Sequence, residues 1–280
     1  MNMIKTTVLL AALTALLVVI GNIIWGPNGA ILFFFIALAF NFFSYWFSDK
    51  IVLAMYRARE VSAPEAPEIH AIVSELAGNA GLPKPRVYLI PTQSPNAFAT
   101  GRNPKHAAVA VTEGILNTLN RDELRGVLAH EMAHVKHRDI LTCTVAATVA
   151  GAITMMASVA RWGLLLGGMG RSRSRGGGLE LLVMAIVAPL AALIIQMAIS
   201  RSREYAADRR GAMLAGSPDG LARALAKLDR GARHQRLEAS PATASLFIVN
   251  PLRGGGLMSL FSTHPPIKER IRRLREVSVP

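Results

Sequence analysis

Residues 6–48 carry no charge at all, and the quartet Gly26-Pro27-Asn28-Gly29 splits this stretch in two. The halves, 6–25 and 30–47, are each close to the roughly 20 apolar residues a helix needs to cross a bilayer. They predict a transmembrane hairpin, with Trp25 at the interfacial end of the first span and Asn41, Tyr45 and Trp46 at that of the second. A cleaved signal peptide fits less well, because the first run is long and a second follows after a four-residue turn. Residues 140–160 and 181–200 form two further apolar runs, bounded by Asp139, Arg161, Glu180 and Arg201, with Pro189 expected to kink the fourth. The pattern predicts four transmembrane helices.

Between the second and third runs the periodicity changes to that of a small α+β unit. Ser62-Ala63-Pro64-Glu65 reads as the start of a helix whose apolar face is Ile69, Ile72, Val73 and Leu76. Residues 86–90 and 106–111 read as strands, and Thr112 is placed to cap a short helix into Ile115 and Leu116. Residues 96–100 are the expected exposed sheet edge, where an extended peptide can add by main-chain hydrogen bonds. Asn120 and Glu123 form a capping-box pair ahead of Leu124, Val127, Leu128 and Val135, a helical rhythm with no proline. With no breaker after it, this helix is expected to run straight into the third apolar run. Residues 251–256 read as a flexible lid or linker. An amphipathic helix carrying Ile267, Ile271, Leu274 and Val277 on one face closes the sequence. The division expected is a hairpin at 1–50, soluble protein at 51–139, a second membrane pair at 140–200, and soluble protein again at 201–280.

Composition supports the membrane assignment. The chain has 280 residues, 51% of them hydrophobic, and a formal net charge of +13. That is too apolar for an ordinary soluble domain, and basic residues beside spans complement an anionic leaflet. No nucleic-acid-reading module accompanies the charge, so no nucleic-acid partner is expected. Lys5 on one side of the hairpin, with Lys50, Arg57 and Arg59 on the other, puts both its ends in the cytoplasm. The loop bearing Arg161, Arg171, Arg173 and Arg175 then lies outside, against the positive-inside tendency, unless runs three and four form a shallow hairpin instead. The single cysteine, Cys143, rules out a disulfide framework or a cysteine-ligated metal.

The chemistry concentrates in His130-Glu131-Met132-Ala133-His134. Two imidazoles four residues apart on one helical face can grip one metal ion, and Glu131 beside them can take a proton from an activated water. Glu204 and Asp208 share a face beyond the fourth run. Spacing leaves two readings of them open: a third ligand with a carboxylate behind a histidine, or a solvated face among Arg201, Arg203, Arg209 and Arg210. His137 is a rival ligand, but one continuous helix cannot easily converge three such imidazoles, and the bend-forming glycine of the longer zinc motif is missing. His264, ahead of the last helix, is a candidate donor to a developing oxyanion.

Four motifs then occur in order: Ser94-Pro95-Asn96-Ala97-Phe98-Ala99-Thr100-Gly101, the stretch from Leu128 to Asp139, Ser202-Arg203-Glu204-Tyr205-Ala206-Ala207-Asp208, and Thr263-His264-Pro265-Pro266. With the N-terminal hairpin, they make the chain resemble the HtpX family of bacterial heat-shock-linked membrane zinc metalloproteases. It is similar, more distantly, to the type 1 CAAX prenyl proteases. The HtpX resemblance implies a zincin-like protease domain with one zinc held by His130, His134 and Glu204, and Glu131 activating water. It also implies a supporting role for Asp208 and substrate or transition-state contacts for Asn96, His264 and Arg270. The expected partners are misfolded or damaged membrane polypeptides and the bilayer, with the active site on the cytoplasmic face of the bacterial inner membrane.

Overall fold

In a computed structural model, residues 2–145, 201–234, 248 and 265–279 are described. Helix α1 (Asn2–Met55) is interrupted at Trp25 and Gly26, where Gly26 takes a positive φ of 62° ahead of Pro27, the turn expected of a hairpin. Its halves lie against each other: a Cβ on Gly21 would collide with the carbonyl of Gly29. Asn41, expected at a membrane interface, instead reaches across the hairpin, its amide 2.8 Å from Thr14 Oγ1 and 3.3 Å from the Leu10 carbonyl. An amide surrounded by apolar side chains finds its partners on the neighbouring helix.

Segment Trp25–Met55 is long and apolar enough to cross a membrane, and it is the single such helix among the described residues. Phe35, Phe42 and Phe43 project outward from it, each more than half exposed. The third apolar run is described only as far as residue 145, and the fourth lies outside the described residues, as do His264 and residues 251–256.

Behind the hairpin comes a four-stranded sheet of β1 (Arg59–Glu60), β2 (Arg86–Ile90), β3 (Ala97–Thr100) and β4 (Ala108–Thr112), in the order β1-β2-β4-β3. Strands β2 and β4 are parallel, while β1 and β3 run antiparallel to their neighbours. Alternation along the strands sorts the side chains. Val87, Val109 and Val111 face a helical core, while Tyr88, Ile90, Ala108 and Ala110 face Val52 and Leu53 at the end of α1. The sheet is therefore clamped between the apolar hairpin and the helical core.

Helix α2 (Pro67–Ala80) buries the expected Ile69, Ile72, Val73 and Leu76, but it starts later than the sequence suggests. Glu65 does bond Ser62, through both backbone and side chain, yet that box closes a turn and the helix begins at Pro67. Thr112 caps α3 (Glu113–Thr118), and the Asn120–Glu123 capping box opens α4 (Arg121–Lys136), both as expected. Beyond them lie α5 (Arg201–Ala215), α6 (Asp219–His234) and α7 (Ile267–Arg275).

One expectation fails here. Helix α4 does not run straight into the third apolar run: it ends at Lys136, Arg138 adopts a left-handed φ of 57°, and helix resumes at residue 140. The residue that breaks it is an arginine, which carries no sequence signal for that conformation.

Candidate metal centre

Helices α4 and α5 cross closely because glycine stands at the crossing. A Cβ on Gly211 would lie 2.9 Å from the backbone N and Cα of His130. Through that contact α5 delivers two carboxylates to the motif helix. Glu204 Oε2 is 3.7 Å from His130 Nε2, Glu204 Oε1 is 3.5 Å from His134 Nε2, and the two Nε2 atoms are 3.2 Å apart. Among the described residues these three form the group able to hold a metal ion, and His137 is outside it. Glu204 and Asp208 are both buried, whereas Arg201, Arg209 and Arg210 are exposed, so the solvated-face reading of the two carboxylates fails.

The donor spacing suits a small tetrahedral cation. Bonds of about 2.0–2.1 Å set tetrahedral donors roughly 3.3–3.4 Å apart, close to the separations above. Charge agrees with geometry. Burial opposes protonation of His134, but Asp139, Glu204 and Glu131 outweigh it and push the ring up to about 9. A buried pocket with this much carboxylate around two imidazoles favours a cation between them.

Each histidine has a carboxylate behind it. Asp208 Oδ1 lies 2.9 Å from His130 Nδ1, though off the line of an ideal hydrogen bond, and Asp139 Oδ2 lies 3.4 Å from His134 Nδ1. Such contacts fix the tautomer that leaves Nε2 free for a metal. Asp139 is brought there by the break at Arg138; from sequence it marked only the edge of an apolar run. Arg203, on α5, stands 3.7 Å from the other Asp139 oxygen.

Glu131 is buried, and its Oε2 accepts a hydrogen bond of 2.9 Å from the backbone N–H of Ala99 in β3. Burial raises its pKa, against the pull of His130 and His134. Strand β3 is at the sheet edge as expected, but it is not exposed. All four residues are buried, Phe98 stacks near Tyr56 at 5.5 Å, and Thr100 bonds Thr144.

Arg270 and Asn96 serve the frame of this site. Arg270, fully buried on α7, makes a two-pronged contact with Asp208 at 2.9 and 2.7 Å and donates to the Ile248 carbonyl at 3.0 Å. Asn96 Oδ1 takes the Ile248 N–H at 3.2 Å, so both backbone groups of that residue are clamped. Burial would raise the Asp208 carboxyl, but Arg270 and His130 hold it at about 2. Removing one member of a buried ion pair strands the other, so Arg270→Met is expected to cost about 3–5 kcal/mol. Denaturant unfolding checks this, and the Arg270→Met/Asp208→Asn double variant should lose less than the sum of the two single changes.

The sequence pattern of peptidase family M48 matches residues 63–278. The chain belongs to that family and is a metalloprotease. This M48 peptidase is 59% identical over 278 residues to a protease HtpX homolog of Syntrophobacter fumaroxidans, covering 98% of each chain. It is 58% identical over 275 residues to one of Desulfatibacillum aliphaticivorans, covering 98% of this chain and 89% of that one. Among solved structures it is similar to S. mikatae Ste24p, with a TM-score of 0.53 and 18% identity, over 98% of this chain and 65% of that chain. At that identity the likeness concerns the fold alone.

Proposed function

We propose that this M48 peptidase is a zinc-dependent endopeptidase of the cytoplasmic membrane. On this reading it cleaves misfolded or damaged membrane polypeptides at the cytoplasmic face, as part of envelope quality control under stress. The observation that carries the reading is the convergence of His130, His134 and Glu204 at tetrahedral-edge distances, with Glu131 beside them. His130, His134 and Glu204 would hold one zinc, leaving a coordination place for the reactants. When bound, zinc supplies the Lewis acidity that activates water and polarises a scissile carbonyl.

The chain's own groups do the rest. Ala99 N–H fixes one Glu131 oxygen, leaving the other to receive a proton from the attacking water and return it to the departing amine. The raised Glu131 pKa makes it a stronger base than an exposed glutamate, while burial keeps bulk water from competing. Asp208, clamped by Arg270, and Asp139 orient the two imidazoles. His264 is the proposed donor to the developing oxyanion.

A metal-free preparation tests the proposal. Chelation should abolish hydrolysis of casein and of an unfolded membrane substrate, and about one zinc per chain should restore it. Cleavage undiminished in metal-free protein would end the zinc reading.

A further inference from the structure

A second cavity, of about 630 Å³, lies away from the metal-site residues, where the end of α1 meets the sheet. We propose that it binds the headgroup of an anionic phospholipid, an inference that rests on α1 crossing a membrane.

Topology assembles the cavity. Because β2 and β4 are parallel, both begin at the same end of the sheet, with Arg86 paired to Ala108. Lys84 and Arg86 at the start of one strand therefore meet Lys105 and His106 just before the other. Asp49 and Lys50 of α1 complete the rim, and Arg102 joins from the β3–β4 connection. Phe42, Trp46 and Phe47 of α1 complete the lining. The cavity thus sets basic side chains against aromatic ones that continue the exposed aromatic face of the membrane-competent helix.

The charge is not neutralised from within. Arg86 is shared between Asp49 at 3.4 Å and Glu60 at 3.9 Å. Among the described residues, Lys50, Lys84, Arg102 and Lys105 have no carboxylate partner. Arg102 instead lies over the Trp46 ring at 4.6 Å and donates to His106 Nε2 at 2.9 Å, and Lys50 sits 5.5 Å from the Phe47 ring. His106 in turn lies 2.9 Å from Asn103 Oδ1 through its Nδ1.

Four such cations against one shared Arg–Asp contact call for an anion, and a cavity of this volume falls in the range of small-ligand sites. The aromatic wall says which anion. Trp and Phe at the base of an apolar helix sit at headgroup level, so a phosphate reaching the basic rim from that side arrives with acyl chains attached along α1. Occupancy would tie the membrane hairpin to Arg102, three residues from the Ala99 that holds Glu131.

The test is native mass spectrometry of the full chain in detergent, offered phosphatidylglycerol and phosphatidylcholine. The variant is Lys84→Gln/Arg102→Gln/Lys105→Gln, with Lys84→Arg/Arg102→Lys/Lys105→Arg as the charge-keeping control. Each basic side chain at an anionic surface is worth about fivefold in association, so the glutamine variant should lose at least about tenfold of its preference for phosphatidylglycerol. The control should keep that preference. An unchanged preference in the glutamine variant overturns the proposal. So does inorganic phosphate binding as tightly as the lipid, which marks a free-phosphate site. Polyglutamate binding with no preference between lipids also overturns it, in favour of an acidic protein partner. Alkaline carbonate extraction from phosphatidylcholine vesicles separates the two readings. Release of the wild type brings down the membrane reading and this inference with it. Retention together with a lost lipid preference in the wild type defeats this inference alone.

Discussion

Glu131→Gln should abolish peptide hydrolysis while leaving the metal content of the protein unchanged. The substitution keeps shape and removes only the ability to accept a proton. The carbonyl of the introduced amide can still take the 2.9 Å hydrogen bond from Ala99 N–H, so the side chain stays where the glutamate was. None of the three groups assigned to the metal is touched. A positioned general base contributes about 10²–10⁴-fold, and on the proposed mechanism the same group serves as base and then as acid, so a fall of at least about 10³-fold in turnover is expected. Zinc analysis beside a fluorogenic casein assay reads both quantities on one sample. Turnover within tenfold of wild type, with zinc bound, would show that Glu131 is not the proton carrier.

That experiment concerns the part of the molecule most legible in sequence. The H-E-x-x-H spacing is local, and one helical turn fixes the geometry of its members once the capping box at Asn120 sets the start of α4. The apolar face of α2, the strands β2 and β4 and the turn at Gly26 were readable for the same reason: each rests on periodicity or on a single punctuating residue. From spacing alone Glu204 and Asp208 were readable only as a question, and it was the family resemblance that assigned them to the site. Their burial depends on how closely α5 approaches α4, which is set by Gly211 against the backbone of His130 and has no local signature. Asp139 went unassigned because the left-handed Arg138 that swings it back toward His134 is a tertiary decision. Arg270 illustrates the same limit. By pattern alone it is one of several arginines on an amphipathic helix, singled out only by the family resemblance as a substrate or transition-state contact; in the fold it is fully buried on Asp208, while Arg272 and Arg273 stay in solvent with Glu269.

Replacing Glu204 by alanine should have the second largest effect, and on metal rather than on chemistry alone. Outer carboxylates such as Asp208 and Asp139 typically change metal affinity by about 10–100-fold when removed, and loss of one of three direct ligands must exceed that, so a fall of more than about 100-fold is expected. Stability separates this from misfolding. In the metal-free protein Glu204 is a buried carboxylate set against imidazoles at 3.5 and 3.7 Å. Its removal strands the His134 charge that it helps to hold, so the zinc-free Glu204→Ala variant should unfold earlier than the zinc-free wild type, and the gain on adding zinc is the quantity that reads the ligand role. Adding zinc at about 1,000 times its dissociation constant should stabilise the wild type by about 4 kcal/mol, and the same addition should stabilise the variant by no more than about 1.4 kcal/mol. Thermal unfolding of both proteins, with and without zinc, gives the four numbers required. A variant that still takes up one zinc and still gains the full stabilisation would move the third ligand elsewhere, because α5 would then be packing against the metal helix without binding the metal.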